Sequence, residues 1–149
     1  MKQLFAAVLT LGLLAVSTNS PAQQLLDLGD YVVHYNALNT GLLPAQMTQV
    51  YGIQRSPNRA MLVITPLKKE ENNGPGIPVH AEVTASAVNL TGQRRNIDMR
   101  EISDLSGAVY YIGVLTVYNL ESFKFTVNLK IEGLEQPAVV KFTQQFYTE

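Results

Sequence analysis

Residues 122–132 read SFKFTVNLKIE, and their alternation decides the fold class. Phe123, Phe125, Val127, Leu129 and Ile131 fall on one side, while Lys124, Thr126, Asn128, Lys130 and Glu132 fall on the other. A period of two sustained over that length is a strand with one face in a core and one in water. The segment after it, Ala138 to Tyr147, repeats the pattern with Val140, Phe142, Gln144 and Phe146 on one face. Between them, Gly133 to Pro137 has turn composition. Two adjacent antiparallel strands are therefore the nucleus of the reading.

Working backwards, Ala108 to Val117 is rich in β-branched and aromatic residues and follows a turn at Asp104 to Gly107. Arg95 to Ile102 reads as a polar strand, reached from Val79 to Leu90 through the turn Thr91-Gly92-Gln93. Lys68 to Pro78, KKEENNGPGIP, has the composition of an exposed loop. Ala60 to Leu67, AMLVITPL, is a continuous apolar run, which suits a strand covered on both faces. Tyr31, Val33, Tyr35 and Ala37 alternate again. Only Leu43, Met47, Val50 and Tyr51 break the period of two. Their helical spacing, with Pro44 at the start and Gly52 at the stop, predicts one helix of about two turns. Seven strands with turns every 8 to 12 residues over much of the chain predict an all-β, antiparallel β-sandwich, immunoglobulin-like, with a short helix between the first two strands. A small closed barrel is the alternative.

The 149 residues are 46% apolar and 15% charged, which fits one globular domain. Eleven basic against twelve acidic residues leave no surplus to neutralise a phosphate backbone, so nucleic acid is not an expected partner. The absence of cysteine excludes disulfides, thiolate metal sites and thiol nucleophiles. At the N-terminus, Lys2 precedes a thirteen-residue apolar run, Leu4 to Val16, too short to cross a bilayer comfortably. Ser20 and Ala22 then stand at the positions expected before a signal-peptidase cut. The expectation is a cleaved signal peptide over residues 1–22 and a single domain over residues 23–149, exported to a bacterial periplasm with no membrane span after cleavage.

Chemistry-bearing residues are sparse. His34 lies on the polar side of the first strand and His80 follows the loop. With Met47, Met61 or Met99 they could supply soft ligands, but none stands at the close spacing of a ligand motif, so no metal site is assigned. Ser56 sits in a turn, QRSPN, without the nucleophile elbow of a hydrolase. No paired carboxylates lie in an apolar setting, and no glycine motif cradles phosphate. The chain is therefore expected not to be an enzyme and to need no cofactor. Arg94, Arg95 and Arg100 read as residues flanking a hairpin or pairing with nearby acids, and Asn89-Leu90-Thr91 reads as a turn. Arg55 and Arg59 bracket Ser56-Pro57-Asn58 beside the helix, where a guanidinium could meet an anionic partner. The candidate partner-binding surface is thus the corner of the first strand and the helix: Tyr31, His34, Asn36, Tyr51, Arg55 and Arg59.

GDYVVHYNALNT, YGIQRSPNRAMLVI, NLTGQ, REI, YYIG and KFTQQFYTE, in that order, resemble a family of short exported Gram-negative bacterial proteins catalogued only as a domain of unknown function. The resemblance covers nearly the whole mature chain. It implies export and brings no activity, cofactor or site residue. The leading expectation is a periplasmic module that binds a protein or an envelope component, through this corner or by offering a strand edge. A carrier of a small molecule or metal ion is the second. An unrecognised hydrolase, requiring His34 and an acid beside a hydroxyl, is the third.

Overall fold

The computed structural model describes residues 24–149; the predicted signal peptide and its cleavage point lie outside them. Among the described residues ten strands form two antiparallel sheets that enclose the main core. They are β1 (Leu25–Asp27), β2 (Tyr31–Asn39), β3 (Arg59–Lys68), β4 (Ile77–Pro78), β5 (Ala81–Asn89), β6 (Arg94–Ile97), β7 (Arg100–Ser103), β8 (Val109–Thr116), β9 (Ser122–Ile131) and β10 (Ala138–Gln145). A 3-10 turn (Thr40–Leu42) and one helix, α1 (Ala45–Tyr51), lie between β2 and β3. The six-stranded sheet runs β1-β2-β3-β8-β7, with β4 on the far end of β3, and the four-stranded sheet runs β10-β9-β5-β6.

Three strands exceed the seven expected. β1 arises where a leader was read, because Leu25, Leu26 and Asp27 pair with His34, Val33 and Val32. β4 arises at the end of the charged loop, where Ile77 and Pro78 pair with Lys68 and Leu67. Most consequentially, the stretch read as one polar strand is two. β6 pairs with β5 and β7 pairs with β8, so the chain changes sheets at Asp98-Met99. Gly113 makes that crossing possible. A Cβ there would lie 2.4 Å from Ile97 Cγ2, 2.6 Å from Met99 Sδ and 3.0 Å from the Asp98 carbonyl.

The alternating face of β9 fills the core as its pattern requires: Phe123, Phe125, Val127, Leu129 and Ile131 are all buried. They meet Val33, Leu62, Ile64, Tyr111 and Leu115 from the other sheet. Phe125 stacks on Phe142 at 4.8 Å between ring centroids. β3 behaves as a strand covered twice. Ala60, Leu62 and Ile64 enter the main core, whereas Met61 joins Leu43, Ile53 and Ile112 in a second cluster on the outer face. The 3-10 turn, α1 and the chain after it cover that face. The helix is shorter on its buried side than its spacing suggested: Met47 and Val50 are exposed, and Thr48 is the residue α1 buries. Gly52 ends it in the left-handed region at φ +63°, which a side chain would strain.

Candidate functional site

The six residues of the expected corner do not share one place. Tyr31 is buried in the core, and its hydroxyl packs where Gly133 lacks a Cβ. It stands about 26 Å along β2 from Asn39, at ~3.3 Å per residue. His34 is half-buried on the outer face between Leu25 and Thr65, and its Nδ1 has no hydrogen-bond partner; the nearby Gln24 Oε1 also has none. Among the described residues no acid pairs with the His34 ring, and Ser56 lies beyond Arg59, about 20 Å down β3 from Thr65. Asn36 is exposed on the same outer face, opposite Val63. Arg55 donates from Nη2 to the Gly41 carbonyl at 2.9 Å, bracing the loop to the 3-10 turn.

Tyr51 and Arg59 remain, joined by Arg100 and Asp98. The end of α1 brings Tyr51 onto the six-stranded sheet, where its ring meets Tyr110 edge-on at 5.7 Å and their hydroxyls are hydrogen-bonded. Burial, then this hydroxyl contact, pushes the Tyr110 phenol well above its ordinary value. Arg100 donates from Nη2 to the Tyr51 carbonyl, tying β7 to the last residue of the helix. That contact replaces the acid partner expected for Arg100. Between these elements lies a crevice of about 300 Å³, lined by Gly52, Ile53, Gln54, Arg59, Asp98, Arg100, Ile112, Gly113 and Val114. Neither Arg59 nor Arg100 forms an ion pair among the described residues.

Arg95 is different in kind. It donates to the Thr116 carbonyl at 3.0 Å, lies 3.8 Å from Glu121 and covers the Phe123 ring at 5.4 Å, which makes it a structural residue. Asn89 closes its turn, accepting from the Gln93 N–H and from Thr91 Oγ1 at 2.8 Å each.

A second polar group was not foreseen. The Ala81 N–H donates to the Tyr111 hydroxyl at 2.8 Å, which donates to Glu101 Oε2 at 2.8 Å. His80 Nδ1 donates to the same oxygen at 3.2 Å, and Ser103 to Oε1 at 3.1 Å. The Tyr111 hydroxyl and then the His80 ring hold the Glu101 carboxyl below its ordinary value. Burial raises Tyr111 to about 12. The network clasps the two sheets, since Ala81 opens β5 in one and Tyr111 lies on β8 in the other. His80, Glu101 and Tyr111 are separated by 21 and 10 residues, so no local motif announced them. Among the described residues no group of three His, Asp or Glu side chains has metal-binding geometry, and no helix is long and apolar enough to cross a membrane.

Residues 25–149 match the DUF4426 family, a domain of unknown function. Among solved structures the chain is similar to a DUF4426 family protein of Pseudomonas aeruginosa PAO1, with a TM-score of 0.71 at 27% identity, covering 86% of this chain and 97% of that one. It is also similar to FetP of uropathogenic E. coli strain F11, recombinantly expressed in the periplasm of E. coli BL21(DE3). There the TM-score is 0.56 at 14% identity, over 83% of this chain and 93% of that one, a likeness of fold alone. No curated protein matches the chain. With the whole span from β1 to the last residue matched, the chain belongs to the DUF4426 family.

Proposed function

We propose that this protein is a non-enzymatic, exported binding module that holds an anionic group of a protein or envelope component in the crevice between Gly52 and Gly113. One observation carries this reading. Arg59 and Arg100 converge on a single crevice of about 300 Å³, and both lack an ion-pair partner among the described residues. Guanidinium forks match carboxylate and phosphate oxygens two at a time. Asp98 on the same wall reduces the lining to one net positive charge, which favours a singly charged carboxylate. The apolar run from Leu4 to Val16 with Ser20 and Ala22 supports export. The strand order supports an immunoglobulin-like architecture: β2-β3-β8-β7 against β6-β5-β9-β10 follows the A-B-E-D and C′-C-F-G orders of such sandwiches.

The carrier reading would use the same crevice, whose volume is at the lower end for small-ligand pockets. Native mass spectrometry separates the two. The protein is isolated gently from the periplasm of its own host as wild type and as an R59Q/R100Q variant. A protein partner retained by wild type and lost by the variant supports the module; a small stoichiometric adduct lost by the variant supports the carrier. Identical species on both forms would remove the crevice from either role.

A further inference from the structure

The two ends of the sandwich show different chemistry to solvent. At one end lie residues 40–58, the turn 90–93, the link 117–121 and residues 146–149. Five large apolar side chains stand free there: Leu42, Leu90, Tyr118, Leu120 and Tyr147, each 58–76% exposed. Among the described residues the opposite end exposes Ile77 and Leu105. Hydrogen bonds tie the five into one surface. Asn39 Nδ2 donates to the Pro57 and Tyr147 carbonyls beside Leu42. The Thr148 N–H donates to Asn119 Oδ1, and Asn89 Nδ2 donates to Glu121 Oε1, which joins the Leu90 turn to the link.

Leu120 is the telling residue. Its φ is +62°, at the third position of a turn that the Glu121 N–H closes on the Tyr118 carbonyl at 3.1 Å. Glycine or asparagine relieves the backbone at such a place. A leucine there holds an apolar side chain out at the loop tip against its own backbone preference.

Charge divides along the same axis. Arg55, Arg59, Arg94 and Lys124 stand at the apolar end, and none forms an ion pair among the described residues. Glu121 is taken up by Arg95, the Tyr118 N–H and the Asn89 carboxamide, which leaves Glu149 as the acid facing them. At the far end the groups outside ion pairs are mostly carboxylates: Asp30, Glu70, Glu71, Asp104, Glu132 and Glu135. β9 runs ten residues between the two ends, about 33 Å. That is several Debye lengths at physiological salt, so the acidic end does not oppose what the basic end approaches.

We infer that the apolar, basic end docks on the surface of an anionic lipid bilayer. The five side chains enter the headgroup region, and the four cations lie over lipid phosphates. Leucine and tyrosine are suited to that boundary, and each cation near an anionic surface adds to the attraction. The tips come from separate segments, each more than half exposed, a form that a fluid interface accepts without a fitted groove. Backbone groups at the tips are already satisfied, as entry to a drier medium requires: Gln145 Nε2 donates to the Leu120 carbonyl at 3.0 Å, and the Gly92 N–H to the Asn89 carbonyl at 3.0 Å. This surface is distinct from the arginine crevice, which opens on the outer face of the six-stranded sheet and shares only Arg59 with it.

The test is co-sedimentation of the protein, isolated from the periplasm, with vesicles of phosphatidylglycerol and phosphatidylcholine in equal parts, and with vesicles of phosphatidylcholine alone. Half-maximal capture by the anionic vesicles is expected near about 1 mM lipid, with release in high salt and much weaker capture by phosphatidylcholine. An L42S/L90S/L120N variant should bind about tenfold more weakly. Its melting temperature should not fall, because all three leucines are exposed and asparagine suits the φ of residue 120. R94Q/K124Q should lower capture by anionic vesicles about tenfold, whereas R59Q/R100Q should retain most of it. The proposal is overturned if anionic vesicles capture no protein at several millimolar lipid, or if either L42S/L90S/L120N or R94Q/K124Q binds as wild type does. It is also overturned if R59Q/R100Q alone abolishes capture, which would place the lipid at the crevice. A protein co-purifying with wild type and lost from L42S/L90S/L120N, with no vesicle capture, would make this end a protein-docking surface instead. Loss of the crevice partner from R59Q/R100Q bears only on the crevice and leaves the vesicle result standing.

Discussion

The two sheets solve the burial problem differently. The four-stranded sheet has one dry face and one wet face, and every residue of β9 from Phe123 to Ile131 alternates accordingly. The six-stranded sheet is dry on both faces along part of its length, because α1 and its flanking turns cover Met61 and Ile112 from outside. This difference teaches where recognition can be built. The wet face presents side chains that rigid strands hold in register. The covered face offers a crevice only where the covering segment stops, at Gly52. That crevice reaches Asp98, the point where the chain passes from one sheet to the other.

The comparison can be broken by asking how each core contributes. Phe125→Ala removes a ring 1% exposed and stacked on Phe142; a loss of about 3–5 kcal/mol is expected in urea melts, with global unfolding. Met61→Ala strikes only the second cluster and should cost about 2 kcal/mol. Its hydrogen exchange should rise first in residues 40–53 and leave β9 protected. Equal opening of both regions would show that the two clusters form one cooperative unit.

Gly113→Ala sharpens the comparison at the crossing. The new methyl would overlap Ile97, Met99 and the Asp98 carbonyl, so a destabilisation of about 1–3 kcal/mol is expected. Amide shifts should appear along Ile97–Met99 and in the arginine crevice, since Gly113 and Asp98 line it. Tyr111→Phe is subtler. It leaves the Ala81 N–H without its acceptor and removes one of the three donors to Glu101, for about 1–2 kcal/mol in a chemical melt. The Glu101 carboxyl should then titrate closer to its ordinary value in a side-chain NMR pH series.

The smallest effect is that of pH. Asp27, Glu101 and Asp104 are each held below their ordinary values, chiefly by hydrogen bonds from Lys69, Tyr111 and Ser106 respectively. A folded pKa lowered in this way means that the unfolded chain takes up protons first as pH falls. The contribution is complete above the ordinary carboxylate values and drains as pH drops through the folded ones. Melting temperature should therefore be flat from neutral pH to about 5 and decline below about 4.5. Because all three groups are exposed, the decline should be shallow and weakened by salt.

The strands that carry the fold were legible wherever burial is one-sided. Alternation in β2, β9 and β10 and the continuous apolar run of β3 follow directly from how many faces each strand buries. The helix was legible from its period and its Gly52 stop, but its buried face was not. Leu43 packs inward while Met47 and Val50 face water, because the covering segment rests on the sheet mainly through its flanking turns. The split of β6 from β7 was invisible. Arg95 to Ile102 shows no glycine or proline at Asp98-Met99, and the room for the break comes from the missing side chain of Gly113 on a distant strand.

The candidate sites follow the same division. The sequence alone determined an all-β chain, the existence of one helix, the lack of any thiol chemistry and the identity of Arg59 as a cation beside the helix. These are properties of local periodicity and residue type. Only the tertiary structure decided that Tyr31 belongs to the core, that Arg100 rather than Arg55 joins Arg59, and that Tyr111, His80 and Glu101 come together across the two sheets. Each of these depends on which strands lie side by side, and that is set by long-range pairing and by the crossing at Asp98-Met99, to which no single segment's pattern has access.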